Sequence, residues 1–109
     1  EEIGIREVIK DEEVEKVIDI LKGGSTVMPQ NWNRRYRANM EKIKSGDIYE
    51  IAAVVRNLML RDAEKTLSTG ERKMLNSAKQ MLISEIVLAI NSSEEETEKL
   101  IDETVKCAY

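Results

Sequence analysis

Apolar residues in this chain recur at helical spacing, and residues that start or stop helices separate the runs. The first run, at positions i, i+3, i+4 and i+7, consists of Val14, Val17, Ile18 and Leu21. The whole chain has one proline and five glycines, too few for a fold that depends on many tight turns between strands. The spacing therefore predicts an all-α protein.

The polar residues between the runs predict about five helices with short connections. The candidate N-terminal caps are Asp11, Asn31, Asp47, Ser68 and Ser93. The stops are Gly23-Gly24, Ser45-Gly46 and Asn91-Ser92. Three starts contain a capping box, Asp47-x-x-Glu50, Ser68-x-x-Glu71 and Ser93-x-x-Glu96. We expect a compact helical bundle over residues 11–109, with the long fourth helix as its most buried element.

The residues and motifs that several classes of protein function require are absent from the sequence. The chain has no histidine and shows no phosphate-binding glycine loop or nucleophile elbow, so we expect no enzyme, no cofactor and no metal site. The run from Glu94 to Glu96 suits the positive end of a helix dipole better than a metal. Cys107 is the only cysteine, which fits a reducing, cytoplasmic setting. No apolar run reaches the ~18 residues of a membrane span.

Charge is segregated along an acidic chain. Residues 31–44 contain five basic residues and one acidic residue, whereas the formal net charge of the whole chain is −4. This basic block also contains Trp32, the only tryptophan. Aromatic rings beside guanidinium groups can stack on or wedge between bases while the cations neutralise phosphates. The block is therefore the candidate binding site for a nucleic acid.

Two interpretations of Trp32 remain open from the residues alone. The stripe Trp32, Tyr36, Met40 and Ile43 has helical spacing, which favours a ring buried in the core. The position of Trp32 at a helix start, after a proline loop and beside Arg34 and Arg37, favours an exposed ring at a helix tip. A second basic group, running from Arg56 to Lys79, has acidic residues between its members and is typical of a solvated face with surface ion pairs. Arg72 and Lys73 are its exception, because they lie in the first turn of a helix, which favours an anion.

Four blocks resemble the C-terminal helical domain of the CarD/CdnL family of bacterial transcription regulators. They are W-x-R-R-Y-[RK]-x-N, S-G-D-[IV], V-V-R-[ND]-L and L-S-x-G-E-[RK]-x-M-L, in the family's order and spacing. The resemblance extends over about residues 3 to 105. It implies a cytoplasmic, nucleoid-associated domain that contacts promoter DNA at the upstream edge of the transcription bubble and stabilises the open complex of RNA polymerase.

The resemblance also assigns individual roles. Trp32 matches the family tryptophan that wedges into the minor groove, and Arg34, Arg35, Arg37 and Arg72 match basic positions that contact the DNA backbone or support the wedge. In the family, a separate N-terminal domain binds the β subunit of RNA polymerase. That domain has no counterpart in these residues, so we expect residues 1–10 to be the linker that follows it.

An alternative needs no DNA. The first and last helices are acidic and could bind a basic partner protein, which would make the chain a helical protein-interaction module. Salt dependence separates the two hypotheses, because contacts to phosphates weaken steeply as salt is added.

Overall fold

Five α-helices account for the regular structure of the described residues, and they form where the caps predict them. The computed structural model describes residues 11–23 and 31–106, but not the side chains of Asp11, Trp32 and Lys106. The helices are α1 (Asp11–Lys22), α2 (Trp32–Lys44), α3 (Ile48–Glu64), α4 (Thr69–Ile90) and α5 (Glu94–Lys106). The prediction of an all-α bundle is confirmed. The proposed linker over residues 1–10 and Cys107 lie outside the described residues.

Side-chain caps define the helix starts. The backbone N–H of Glu96 donates to Ser93 Oγ at 3.1 Å, and the N–H of Ser93 donates to Glu96 Oε1 at 3.2 Å, so this capping box is complete. At α3, the N–H of Tyr49 donates to Asp47 Oδ1 at 2.9 Å. These bonds satisfy amide groups that have no partner within the helix.

Left-handed residues end two of the helices. Gly46 has a φ of +74° just after α2, and Asn91 has a φ of +54° just after α4. Glycine adopts this conformation without steric cost, and asparagine tolerates it better than most residues. The two chain reversals therefore depend on the residue types found there.

The most buried helix is α3, so the expectation that α4 would hold that place is wrong. Nine of the 17 residues of α3 are buried, against seven of the 22 residues of α4. Met81 and Leu88 of α4 are 37% and 66% exposed, which leaves one side of that helix in solvent. Length and apolar content give α4 the longer apolar stripe, but the buried residues of α3 include the five consecutive residues 54–58, which point to all sides of that helix.

A buried arginine of α3 forms a hydrogen bond to α1. Arg56 is 6% exposed, and its Nη1 donates to the carbonyl oxygen of Ile20 at 2.8 Å, near the C-terminal end of α1. Burial lowers the pKa of Arg56 below its ordinary value. Its charge lies where the helix dipole is negative. The prediction of a solvated second basic group is therefore wrong for this residue.

Candidate nucleic-acid interface

The basic block folds into α2, and Trp32 is the first residue of that helix. Asn31 is its N-cap, and its Oδ1 accepts the backbone N–H of Arg34 at 3.2 Å. The N–H of Arg35 donates to the carbonyl of Asn31 at 3.0 Å and closes the first turn. This cap fixes the helix start, as predicted, and so fixes the backbone of Trp32 as the first residue of α2. The side chain of Trp32 is outside the described part, so the choice between a buried and an exposed ring stays a prediction.

Two of the predicted arginines, Arg34 and Arg37, lie on the exposed face of α2. The first turn of this helix contains no acidic residue. The positive end of the helix dipole and the two guanidinium groups therefore act in the same direction, and together they favour an anion. This arrangement could hold phosphate groups of a nucleic acid backbone.

Arg35 does not share that exposed face. It is 3% exposed, and its Nε and Nη2 lie 2.6 and 3.2 Å from Glu71 Oε2 and Oε1. Such a two-pronged contact is a strong form of charge-assisted hydrogen bonding. An arginine held in this way presents no guanidinium edge to a phosphate. Of the two roles that the resemblance gives to the basic residues, support of the wedge is the one that suits Arg35.

Glu71 is the centre of a buried charged cluster. It is 1% exposed, and Arg61 Nε lies 4.0 Å from its Oε1. Burial by itself raises the pKa of Glu71, but the hydrogen bond and charge of Arg35, the charge of Arg61 and a hydrogen bond from Ser68 outweigh it and hold the pKa below the ordinary 4.5. The carboxyl group is therefore ionised at neutral pH inside the protein.

Arg72 stands beside this cluster but points to the surface. Its side chain is 48% exposed, and Nη2 lies 3.3 Å from Asp62 Oδ1. An exposed pair of this kind is weak and can exchange its partner for a phosphate. Because Arg72 follows Glu71 directly, the Arg35–Glu71 contact places the starts of α2 and α4 side by side. The structure thus brings Arg72 close to the start of the basic helix, although 36 residues separate the two paired side chains in sequence.

Within residues 11–23 and 31–106, no three His, Cys, Asp or Glu side chains lie close enough together to hold a metal ion. Among the same residues, no helix is both long enough and apolar enough to cross a membrane.

A family model described as "CarD, C-terminal domain" matches residues 16–102. The chain belongs to this family. The matched CarD range includes α2, α3 and α4 in full, and so contains every described side chain of the candidate interface.

One curated relative of this CarD domain is the "Putative transcription factor YdeB" of Bacillus subtilis (strain 168), which is 43% identical over 70 residues. The aligned stretch covers 64% of this chain and 46% of the relative. The CarD domain described here thus aligns with about half the length of that protein.

Sequence reasoning did not find the part that Glu71 plays. It assigned this residue to a capping box, and the backbone N–H of Glu71 does donate to Ser68 Oγ at 3.2 Å. The glutamate side chain, however, turns into the bundle toward Arg35. Arg35 stands at the edge of the apolar stripe of α2, which was the available signal that it would face inward and need an anion.

Proposed function

We propose that this chain is a transcription-regulator domain that contacts promoter DNA at the upstream edge of the transcription bubble and stabilises the RNA polymerase open complex. Membership of the CarD family supports the proposal, as does the name of the Bacillus relative. The observation that argues for it most strongly is the first turn of α2. It starts at Trp32, exposes Arg34 and contains no acidic residue, and Arg37 is exposed in the turn that follows.

In this proposal Trp32 acts as a wedge in the minor groove, where duplex DNA meets melted DNA. An inserted ring replaces base stacking that is lost on opening, which is worth about 1–3 kcal/mol per stacked base. That amount is too small to melt a promoter. The wedge would instead keep open a bubble that the polymerase has already formed, and so lengthen the life of the open complex.

Arg34, Arg37 and Arg72 are the proposed phosphate contacts, and Arg35 supports the helix that holds the wedge. Neutralising about three phosphates gives a slope of roughly −3 when log affinity is plotted against log salt concentration. Such binding is weak and largely independent of sequence. The domain would therefore read the shape of opened DNA more than its bases.

Weak binding implies a second attachment. We propose that a polymerase-binding domain outside these residues binds the β subunit of RNA polymerase and so raises the local concentration of the DNA-binding face. This function would place the protein in the bacterial cytoplasm, with the nucleoid. It requires no cofactor and no catalytic residue on this chain.

The test is the lifetime of the open complex with bacterial RNA polymerase and the full-length regulator. We expect Trp32→Ala to shorten the lifetime while the thermal unfolding midpoint of the domain changes little. Arg37→Glu should shorten it too, whereas Lys99→Glu, the same change of charge at an exposed position on α5, should not. If Trp32→Ala unfolds the domain while the folded fraction keeps full activity, the wedge role is wrong.

The packing of α1 against α5 favours one alternative function. It places two acidic helices side by side, with Glu12, Glu15, Glu95 and Glu103 exposed. Such a face suits a basic partner protein. Failure to bind DNA even in the presence of polymerase, together with salt-sensitive binding of a basic protein, would favour this alternative over the proposal.

A further inference from the structure

The helix that holds Trp32 is fixed to the bundle in an unusual way. Among the side chains of α2 that the structure describes, only Arg35 and Asn39 are buried, and both are polar. The apolar members Tyr36, Met40 and Ile43 are only partly buried against the core. Of the described helices, α2 contacts α3 and α4 alone. Its position therefore depends less on apolar burial than is usual for a helix in a bundle.

The contact that holds α2 in position lies at the first turn of that helix. Arg35 comes three residues after Trp32, and its guanidinium group meets the Glu71 carboxylate through two hydrogen bonds of 2.6 and 3.2 Å. A planar fork on a carboxylate restricts both distance and orientation, whereas a point charge restricts distance alone. This pair therefore sets the direction of the first turn of α2.

We propose that Glu71 is a positioning residue for the DNA wedge: through Arg35 it orients the start of α2, and with it Trp32. This inference rests on the function proposed above. Glu71 itself is 1% exposed, which is too little for direct contact with DNA. From α4 it holds Arg35 of α2 inward, while Arg72, the residue after Glu71, remains at the surface, where it can contact phosphate.

Stability alone does not explain why an ion pair is used here. Buried ion pairs are often no more stabilising than apolar side chains of similar volume, because both charges lose their hydration. Apolar side chains in place of the ion pair would not restrict the orientation of the first turn of α2 in the same way. A positioning role therefore predicts a variant that is folded and stable but places the tryptophan poorly.

The decisive variant is Arg35→Met/Glu71→Leu. It removes one positive and one negative charge, so the net charge and the long-range attraction to DNA stay the same. The control, called the Lys79 variant, is Lys79→Met/Asp102→Asn, which also removes one positive and one negative charge. It breaks a different interhelical contact, in which Lys79 Nζ lies 3.2 Å from Glu98 Oε2 and 2.6 Å from Asp102 Oδ1. That contact joins α4 to α5 and does not involve α2.

Two quantities are measured on each protein. The first is the affinity for a fork-junction DNA at low salt, and the second is the nanosecond fluorescence anisotropy of Trp32, the only tryptophan, without DNA. We expect the double variant to unfold cooperatively, to bind the fork about tenfold more weakly, equal to about 1.4 kcal/mol, and to show a faster anisotropy decay. The Lys79 variant should match the unmodified chain in both measurements.

A double variant with unchanged affinity and unchanged anisotropy would overturn the inference. If that variant does not fold, Arg35→Lys is measured instead. Lysine keeps the positive charge but cannot make the two-pronged contact of the guanidinium group, and the same two quantities are measured. If the unmodified chain does not bind the fork at all, the proposed function fails. The anisotropy comparison still decides whether Glu71 orients Trp32.

Discussion

Replacing Arg35 with methionine should destabilise the domain severely. The change leaves the Glu71 carboxylate at 1% exposure, with Arg61 Nε at 4.0 Å as the remaining cation that contacts it among the described residues. Breaking a buried ion pair by removing one partner costs about 3–5 kcal/mol. Small domains unfold with about 5–15 kcal/mol in total, so this single change should remove a large fraction of the stability.

Equilibrium unfolding in urea, followed by far-UV circular dichroism at neutral pH, measures this effect. Arg35→Met, Glu71→Leu and their combination form a thermodynamic cycle with the unmodified chain. We expect the double variant to regain stability to within about 1 kcal/mol of the unmodified chain, because neither charge of the broken pair is left in the interior. A cost of less than about 1 kcal/mol for Arg35→Met, or a double variant that loses the sum of the two single losses, would refute this role of the ion pair.

Three further predictions concern other parts of the fold. The folded-state pKa of Glu71 lies below the ordinary 4.5, so ionised Glu71 contributes its full stabilisation above about pH 4.5 and loses it as the pH falls through the folded-state pKa. In urea unfolding across acid pH, the free energy of unfolding of Glu71→Gln should therefore decline less steeply than that of the unmodified chain. Ser93→Ala removes the acceptor for the Glu96 N–H and should lower the free energy of unfolding by about 1 kcal/mol, measured by urea unfolding. Asn91→Ala removes the short polar side chain that makes a φ of +54° tolerable and should cost about 1 kcal/mol, seen as a lower thermal midpoint, whereas Asn91→Gly should not lower it.

Local chemistry made the helix boundaries predictable. Capping depends on side chains within three residues of the helix start, so Asn31, Asp47 and Ser93 identified themselves by sequence spacing alone. The glycine at the end of α2 did the same, since its left-handed conformation is a property of that one position. The resemblance then supplied the family, which the match over residues 16–102 confirms.

Features that depend on three-dimensional packing were not predictable in this way. The pairing of Arg35 with Glu71 joins residues 36 positions apart, and no periodicity within either helix specifies it. The central place of α3 likewise follows from how its neighbours surround it, because a long apolar stripe records the burial of one face only. Arg56 in the interior has the same cause, since the carbonyl of Ile20 that accepts its hydrogen bond belongs to another helix.

The central claim is that Trp32 inserts where duplex DNA meets melted DNA. Because it is the only tryptophan, its fluorescence emission reports on that contact without interference from other indole groups. We expect a fork-junction DNA to quench or shift the emission much more than an uninterrupted duplex of the same length, and added salt to reverse the response. Equal responses to the two DNAs, or no response to either, would contradict the wedge.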